Sequence, residues 1–359
     1  MITTRELFEI TPEMFGPLLP HILNERITDI DYNGRDLWLT DIENKRKKIP
    51  SGMHDITELF AKQFAQRISN ATGKQFNQKY PSLEGETRQL RISIMHESIS
   101  TSGMSICIRK TPPFARITEN YALKSDYMSA KCLNLLKNCI KAHMNIVIAG
   151  QPRAGKTEAC KFLANYIPDE ERVITIEDVQ EWRYKELKPM SDALEWKIRD
   201  DFDYADAIVA ALKQNPKWIM VAETRGVEVK YLIQGFSTGV NGMTTLHAED
   251  VSKIPQRMLN MVDDSMLENR FLSNIYDFVD VGILVSIKTN ESGQMYRLID
   301  QVGFFSSEHG NNCDMVLTDG KMLGKYTIPP SIMQRFLRCG INDPFVYGSS
   351  KPSIRRCAF

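Results

Sequence analysis

The stretch Asn145-Ile-Val-Ile-Ala-Gly150-Gln-Pro-Arg-Ala-Gly155-Lys156-Thr157 constrains this chain more than any other. Ile146 to Ala149 is a short apolar run that reads as a buried strand. It breaks at Gly150 into a loop of the form G-x-x-x-x-G-K-T. Glu158 to Tyr166 follows, with Ala159, Phe162, Leu163 and Tyr166 at helical spacing. Strand, glycine loop and helix in that order is the context in which this pattern cradles phosphate. Gly150 and Gly155 let the backbone turn tightly and aim its N–H groups inward, as an anion nest at a helix N-terminus. The candidate nucleotide-binding surface is therefore Gly150, Gln151, Pro152, Arg153, Ala154, Gly155, Lys156, Thr157 and Glu158. Lys156 is expected to reach the β- and γ-phosphates, and the Thr157 hydroxyl to ligate Mg²⁺.

Charge narrows the choice of partner. The chain has 359 residues with 45 basic against 45 acidic side chains, so no global basic field argues for nucleic acid. Its apolar runs fall short of the roughly 18 residues a membrane span needs. Met1 to Glu9 lacks the basic and apolar regions of a secretory signal, and the expected location is the cytoplasm. The seven cysteines include no C-x-x-C pair, which argues against a disulfide framework or a four-cysteine zinc site.

Three regions are expected along the chain: an α+β domain over 1–112, a linker over 113–126, and an ATPase domain with a C-terminal helical tail over 127–359. In the first, Ile27 to Tyr32 and Arg35 to Asp41 read as strands joined at Asn33-Gly34. Asp55 is placed to cap a helix whose apolar face is Ile56, Leu59, Phe60, Phe64 and Ile68. Leu90, Ile92 and Ile94 alternate with Arg91 and Ser93, and Ile106 and Ile108 with Cys107 and Arg109, as in half-buried strands. Lys45-Arg-Lys-Lys48 reads as a solvated turn, or else as a contact for acidic lipid or nucleic acid. Pro112-Pro113 breaks regular structure and opens the linker. Beyond it, a helix with Met128, Cys132, Leu135, Leu136, Cys139 and Ile140 on one side leads into the phosphate loop. Strands at Val173–Ile176, Trp218–Ala222, Met243–Leu246 and Val279–Ile287 alternate with helices. That alternation predicts a wound, mostly parallel sheet.

Polar groups cluster at the ends of these strands, where open α/β sheets bind ligands. Glu177-Asp178 follows Val173–Ile176, Glu223 with Arg225 follows Trp218–Ala222, and His247 follows Met243–Leu246. A nucleoside triphosphatase needs a carboxylate near Mg²⁺, another to activate water, and a polar group that senses the γ-phosphate. Two glutamates and a histidine meet that need.

The order of motifs resembles the traffic ATPases of type II and type IV secretion, nearest the type IV secretion, tight-adherence and conjugation branch. That family carries a Walker A loop, an Asp box, a Walker B strand ending in glutamate, and a His box. These match Gly150 to Thr157, Ile174-Thr-Ile-Glu-Asp178, Ile219-Met-Val-Ala-Glu223-Thr-Arg225-Gly226, and Thr238-Gly239 with Gly242 to Ala248. The sequence departs from the family's usual residues at Val240, Ala222, Lys213, Asn215 and Lys217. The resemblance implies an N-terminal α+β domain joined to a RecA-like P-loop domain, with Arg91 and Arg109 directed at the nucleotide. It also implies a homohexameric ATPase using ATP and Mg²⁺, docked on inner-membrane components of a secretion or pilus machine, peripheral to the cytoplasmic face. Under that reading Lys156 and the loop hold phosphate, Thr157 and Glu223 hold Mg²⁺ directly or through water, Glu177 is the general base, and His247 reports the γ-phosphate. A P-loop ATPase acting on DNA and a nucleotide-dependent scaffold with low turnover are the alternative classes.

Overall fold

A computed structural model of the chain describes residues 12–112, 114–262 and 268–348. It divides into two compact units, Met1–Pro113 with Thr289–Tyr296 and Phe114–Lys288 with Arg297–Phe359.

The first unit is a six-stranded antiparallel sheet, β1 (Ile27–Tyr32), β2 (Leu37–Asp41), β3 (Arg46–Ile49), β4 (Ser82–Glu86), β5 (Leu90–Met95) and β6 (Ser105–Lys110), in the order β3-β2-β1-β6-β5-β4. The Asn33-Gly34 turn forms, with Gly34 at φ +89° and the Asn33 side-chain oxygen accepting from Arg35 N and Asp36 N. Strand β2 accordingly starts at Leu37 and not at Arg35. Alternation puts Ile30, Leu39, Ile92, Ile94, Ile106 and Ile108 on one face, where they pack with Phe64 and Ile68 of the helix Glu58–Thr72. That helix is capped by Thr57 and not by Asp55. The extended backbone of Thr57 (ψ 164°) aims its hydroxyl at Phe60 N, 3.1 Å away. Starting there turns Leu59 outward to 66% exposure, and the buried stripe is Ala61, Phe64, Ala65 and Ile68. The basic run is also revised, since Arg46 to Lys48 lie in edge strand β3 and not in a turn. Arg46 reaches Asp31 at 3.0 Å and covers the Trp38 ring at 5.0 Å, while Lys48 reaches Asp36 at 2.7 Å. Charges along an exposed edge also discourage pairing with other sheets.

The second unit is built on β7 (Ile146–Gly150), β8 (Val173–Glu177), β9 (Ala193–Lys197), β10 (Trp218–Val221), β11 (Asn241–Leu246), β12 (Val281–Thr289), β13 (Met295–Ser306), β14 (Asn312–Thr318) and β15 (Lys321–Met322). Their order is β15-β14-β13-β12-β7-β11-β10-β8-β9, and the pairs from β12 to β9 are parallel. The predicted wound sheet is present, and it is extended by the antiparallel pairs β13–β14 and β14–β15. Both faces are covered. Ile146, Ile148, Trp218 and Met220 pack on one side with the helices Ala130–Lys141 and Lys156–Ala164. Val147, Ala149, Ile219 and Val221 pack on the other with Tyr204–Leu212 and Glu228–Ser237. This period of two on doubly buried strands is why their sequences read as unbroken apolar runs. Within the stretch expected as linker, a helix forms at Glu119–Lys124. The Thr118 hydroxyl caps it by accepting from Tyr121 N at 3.1 Å, and Ala122 is fully buried.

At the amino-terminal edge of this sheet, buried Asp280 accepts from Asn145 N at 2.7 Å and pairs with Arg335 of the C-terminal helix Pro330–Arg338. Burial pushes the Asp280 carboxyl up, and the Arg335 guanidinium pulls it back. Arg335→Met leaves that carboxylate buried without its cation. It is expected to lower the stability of this unit by about 3 kcal/mol, read as a lower denaturant midpoint. An unchanged midpoint would mean that the pair contributes nothing to holding the helix.

Candidate active site

Strand β7 ends at Gly150 with all five residues buried, between β12 and β11. A Cβ on Gly150 would stand 2.5 Å from Val285 O and 3.3 Å from Ala154 Cβ, so only glycine lets the chain leave the strand here. Gly155 is left-handed (φ +99°) at the N-cap of the helix Lys156–Ala164. Arg153, without glycine's freedom, is held at φ +66°. Ala154 N donates to Gln151 O at 3.2 Å and closes the turn.

Lys156 folds back over its own loop. Its ammonium donates to Gly150 O at 3.0 Å and Gln151 O at 3.4 Å, and lies 3.2 Å from His247 Nδ1. Burial pulls its pKa down, opposed by the Glu223 carboxylate. His247 follows β11. Because the ammonium carries only donors, it assigns Nδ1 as acceptor and the ring hydrogen to Nε2. The competing contact of Nδ1 with Gly150 O, at 3.1 Å, is the weaker because it is neutral. His247 Nε2 lies 2.8 Å from Glu223 Oε1, within ion-pair distance but off the line of a hydrogen bond. Glu223 Oε1 is thus buried with no hydrogen-bond donor, while Oε2 accepts from Arg225 at 2.6 Å. Arg225 also approaches Asp178 at 3.7 Å.

Glu177, which ends β8, and Glu181, in the turn after it, divide unexpectedly. Glu177, expected as the base, is 1% exposed, and its Oε1 accepts from Glu181 N at 3.1 Å and Trp182 N at 2.9 Å. Burial raises its pKa to about 8, and the carboxyl is engaged by these two backbone donors. Its place is beneath the turn that follows β8. That turn carries Glu181 back to the loop, where Glu181 Oε2 accepts from the Thr157 hydroxyl at 3.2 Å. Glu181 was not among the expected site residues. The signal for it is positional: an acid four residues past the strand-end glutamate clears the sheet edge, whereas the strand-end residue itself is still inside it. The Glu158 carboxylate faces the other way, accepting from Arg116 N at 2.9 Å. Arg297 of β13 reaches the loop at Arg153 O, 3.3 Å away.

Of the residues that depart from the family pattern, Ala222 stands next to Glu223, its carbonyl accepting from the Thr245 hydroxyl at 2.8 Å, and the other four lie elsewhere. Val240 and Lys217 immediately precede β11 and β10, and Lys213 and Asn215 lie in the turn before β10. They sit at the sheet edge opposite Glu223 and His247. Arg91 and Arg109 belong to the first unit, directly opposite each other on β5 and β6, and Arg109 pairs with Asp29 at 3.1 Å.

The donor set fits a nucleoside triphosphate with Mg²⁺. The glycine cradle leaves no room for a side chain at Gly150, an ammonium and a hydroxyl flank the helix N-terminus, and the buried Glu223 oxygen lacks a donor. A glycine loop between a parallel strand and a helix, with a histidine and carboxylates after the neighbouring strands, defines a RecA-like P-loop domain. A family model described as type II/IV secretion system protein matches residues 75–311, and the chain belongs to that family. It is similar to an uncharacterized protein of Bacillus anthracis, 28% identical over 331 residues, covering 89% of this chain and 74% of that one. It is 30% identical to the type IV secretion system protein VirB11 of Bartonella quintana over 152 residues, 40% of this chain and 42% of that one. Its fold is shared with the ATPase DotB of Legionella pneumophila, with a TM-score of 0.61 at 18% identity over 85% of this chain and 84% of that one.

Proposed function

We propose that this chain is an ATP-hydrolysing motor of a type IV secretion, conjugation or pilus-assembly machine. What supports the reading is one observation. Lys156, His247, Glu223 and Glu181 follow four strands adjacent in the sheet, β7, β11, β10 and β8, and Lys156 and Thr157 each touch one of the others. The loop amides and Lys156 bind the phosphates, and the carbonyls that now hold the ammonium are weaker acceptors than phosphate oxygen. Thr157 and Glu223 would hold Mg²⁺, directly or through water, and the ion when bound supplies positive charge against the phosphate oxygens. Glu181 takes a proton from the water attacking the γ-phosphorus, as the bond to the bridging oxygen of ADP breaks. His247 links the γ-phosphate to Glu223. The implication that Arg91 and Arg109 serve the same nucleotide belongs to this proposal, as do the domain limits, the homohexameric ring and docking at the cytoplasmic face of a membrane machine. No helix among the described residues is long and apolar enough to cross a membrane.

The purified chain is expected to release phosphate from ATP only with Mg²⁺ present, at a rate that duplex or single-stranded DNA leaves unchanged. Stimulation by DNA would favour a nucleic-acid motor, and tight binding without turnover a scaffold.

A further inference from the structure

Arg153 is the one loop position between Gly150 and Gly155 that combines a left-handed backbone, φ +66°, with a side chain. Such a conformation costs about 1–2 kcal/mol and persists where surrounding groups impose it. Two groups act on this residue's carboxyl-side peptide. Ala154 N donates to Gln151 O at 3.2 Å. On the opposite side of the same peptide, the Arg153 carbonyl accepts from both Nε and Nη2 of Arg297, each at 3.3 Å. One fork closing on one carbonyl fixes the plane of that peptide in a way a single donor does not. The stem of the same side chain also lies against the loop, its Cδ 3.5 Å from where a Cβ on Gly155 would stand.

Arg297 arrives from 144 positions away in the chain and two strands away in the sheet, since β13 neighbours β12 and β12 neighbours β7. Its strand is anchored beside the site by Ile299 N, which donates to Tyr127 O at 2.8 Å. The guanidinium meets the loop at a carbonyl, which leaves the loop N–H groups untouched by this contact.

We propose that Arg297 is a positioning residue for the phosphate loop: it holds the Arg153–Ala154 peptide so that the loop keeps its anion-binding shape before phosphate arrives. This rests on the assignment of the loop as the nucleotide site. It predicts a defect in binding and not in the chemical step, because the loop shape is shared by the ground and transition states. It also predicts that ADP and ATP suffer alike, since a braced loop acts on whichever phosphates it encloses.

The test compares Arg297→Met and Arg297→Lys with wild type in the full chain, using MgATP and MgADP titrations, steady-state kinetics and thermal melts. Arg297→Met is expected to raise the Kd of both nucleotides by about 10-fold, the scale of two hydrogen bonds, and KM with it. Expected kcat changes stay within about 3-fold, and Tm is unchanged because the side chain is half-exposed. Arg297→Lys should resemble the methionine variant, since an ammonium keeps the charge but not the fork. Wild-type affinity in Arg297→Met overturns the proposal. Full rescue by lysine does so too, because charge alone would then suffice. Selective loss of ATP over ADP overturns it by making Arg297 a γ-phosphate contact. If wild type itself binds neither nucleotide, the functional reading fails together with this inference, and the wild-type titration identifies that case.

Discussion

Lys156→Ala is expected to reduce ATP turnover by about 10²-fold or more, the scale for removal of one preorganised donor from a phosphate or oxyanion site. Two effects add. The ammonium is the cation nearest the loop carbonyls, donating to Gly150 O and Gln151 O, and water cannot reproduce a fixed positive charge at that position. Its removal also deprives His247 Nδ1 of its donor, 3.2 Å away, and with it the ring orientation that faces Glu223. The burial that lowers the Lys156 pKa makes the same substitution tolerable to the fold, because alanine removes a partly desolvated charge. Phosphate release should therefore collapse while the melting temperature holds or rises. Wild-type hydrolysis by the folded variant would remove the loop from the active site.

The second large effect separates Glu177 from Glu181. Glu181→Gln should slow hydrolysis by about 10²-fold, the usual loss when a positioned base is removed, with MgATP affinity nearly retained. Glu177→Gln should leave turnover within a few-fold of wild type, because that carboxyl faces the backbone of the turn and not the Thr157 hydroxyl. Its signature lies in stability. Glu177 has a folded pKa of about 8 against an ordinary value of 4.5, so between them the folded chain holds a proton that the unfolded chain has lost. Its contribution is fully present below 4.5 and is lost as pH rises through about 8. A glutamine has no proton to lose. The Glu177→Gln chain should therefore show a flatter dependence of Tm on pH, and should melt above wild type at pH 9. Rates at saturating ATP and melts from pH 4 to pH 9 decide the matter. Loss of turnover in Glu177→Gln with a normal rate in Glu181→Gln would return the role of base to Glu177.

Much of this is legible in the sequence. The strand, the loop and its helix are contiguous, and their geometry follows from Gly150, Gly155 and the apolar run between Ile146 and Ala149. Glu223 and His247 were legible because each follows a buried strand, and in a parallel sheet the ends of such strands gather on one edge. The misreadings were local. Asp55 and Thr57 are both competent caps, and the choice between them depends on which backbone is extended where the helix begins. Arg46 to Lys48 look like a turn by charge alone, but the ladder to β2 makes them a strand.

What the sequence by itself determined is the phosphate loop, because its chemistry is carried by neighbours in the chain whose conformations are restricted one residue at a time. It also determined the layering of the second unit, because apolar runs of strand length leave no polar face to expose. The tertiary structure alone decided which carboxylate meets Thr157 and what braces Arg153. Glu177 and Glu181 are equal in charge and four positions apart. Only the turn after β8, folded over the buried Glu177 carboxyl, sends one inside the sheet edge and the other to the loop. Arg297 reaches Arg153 because sheet order sets β13 two strands from β7, and pairing order among strands is fixed by packing over the whole core and not by any short stretch of residues.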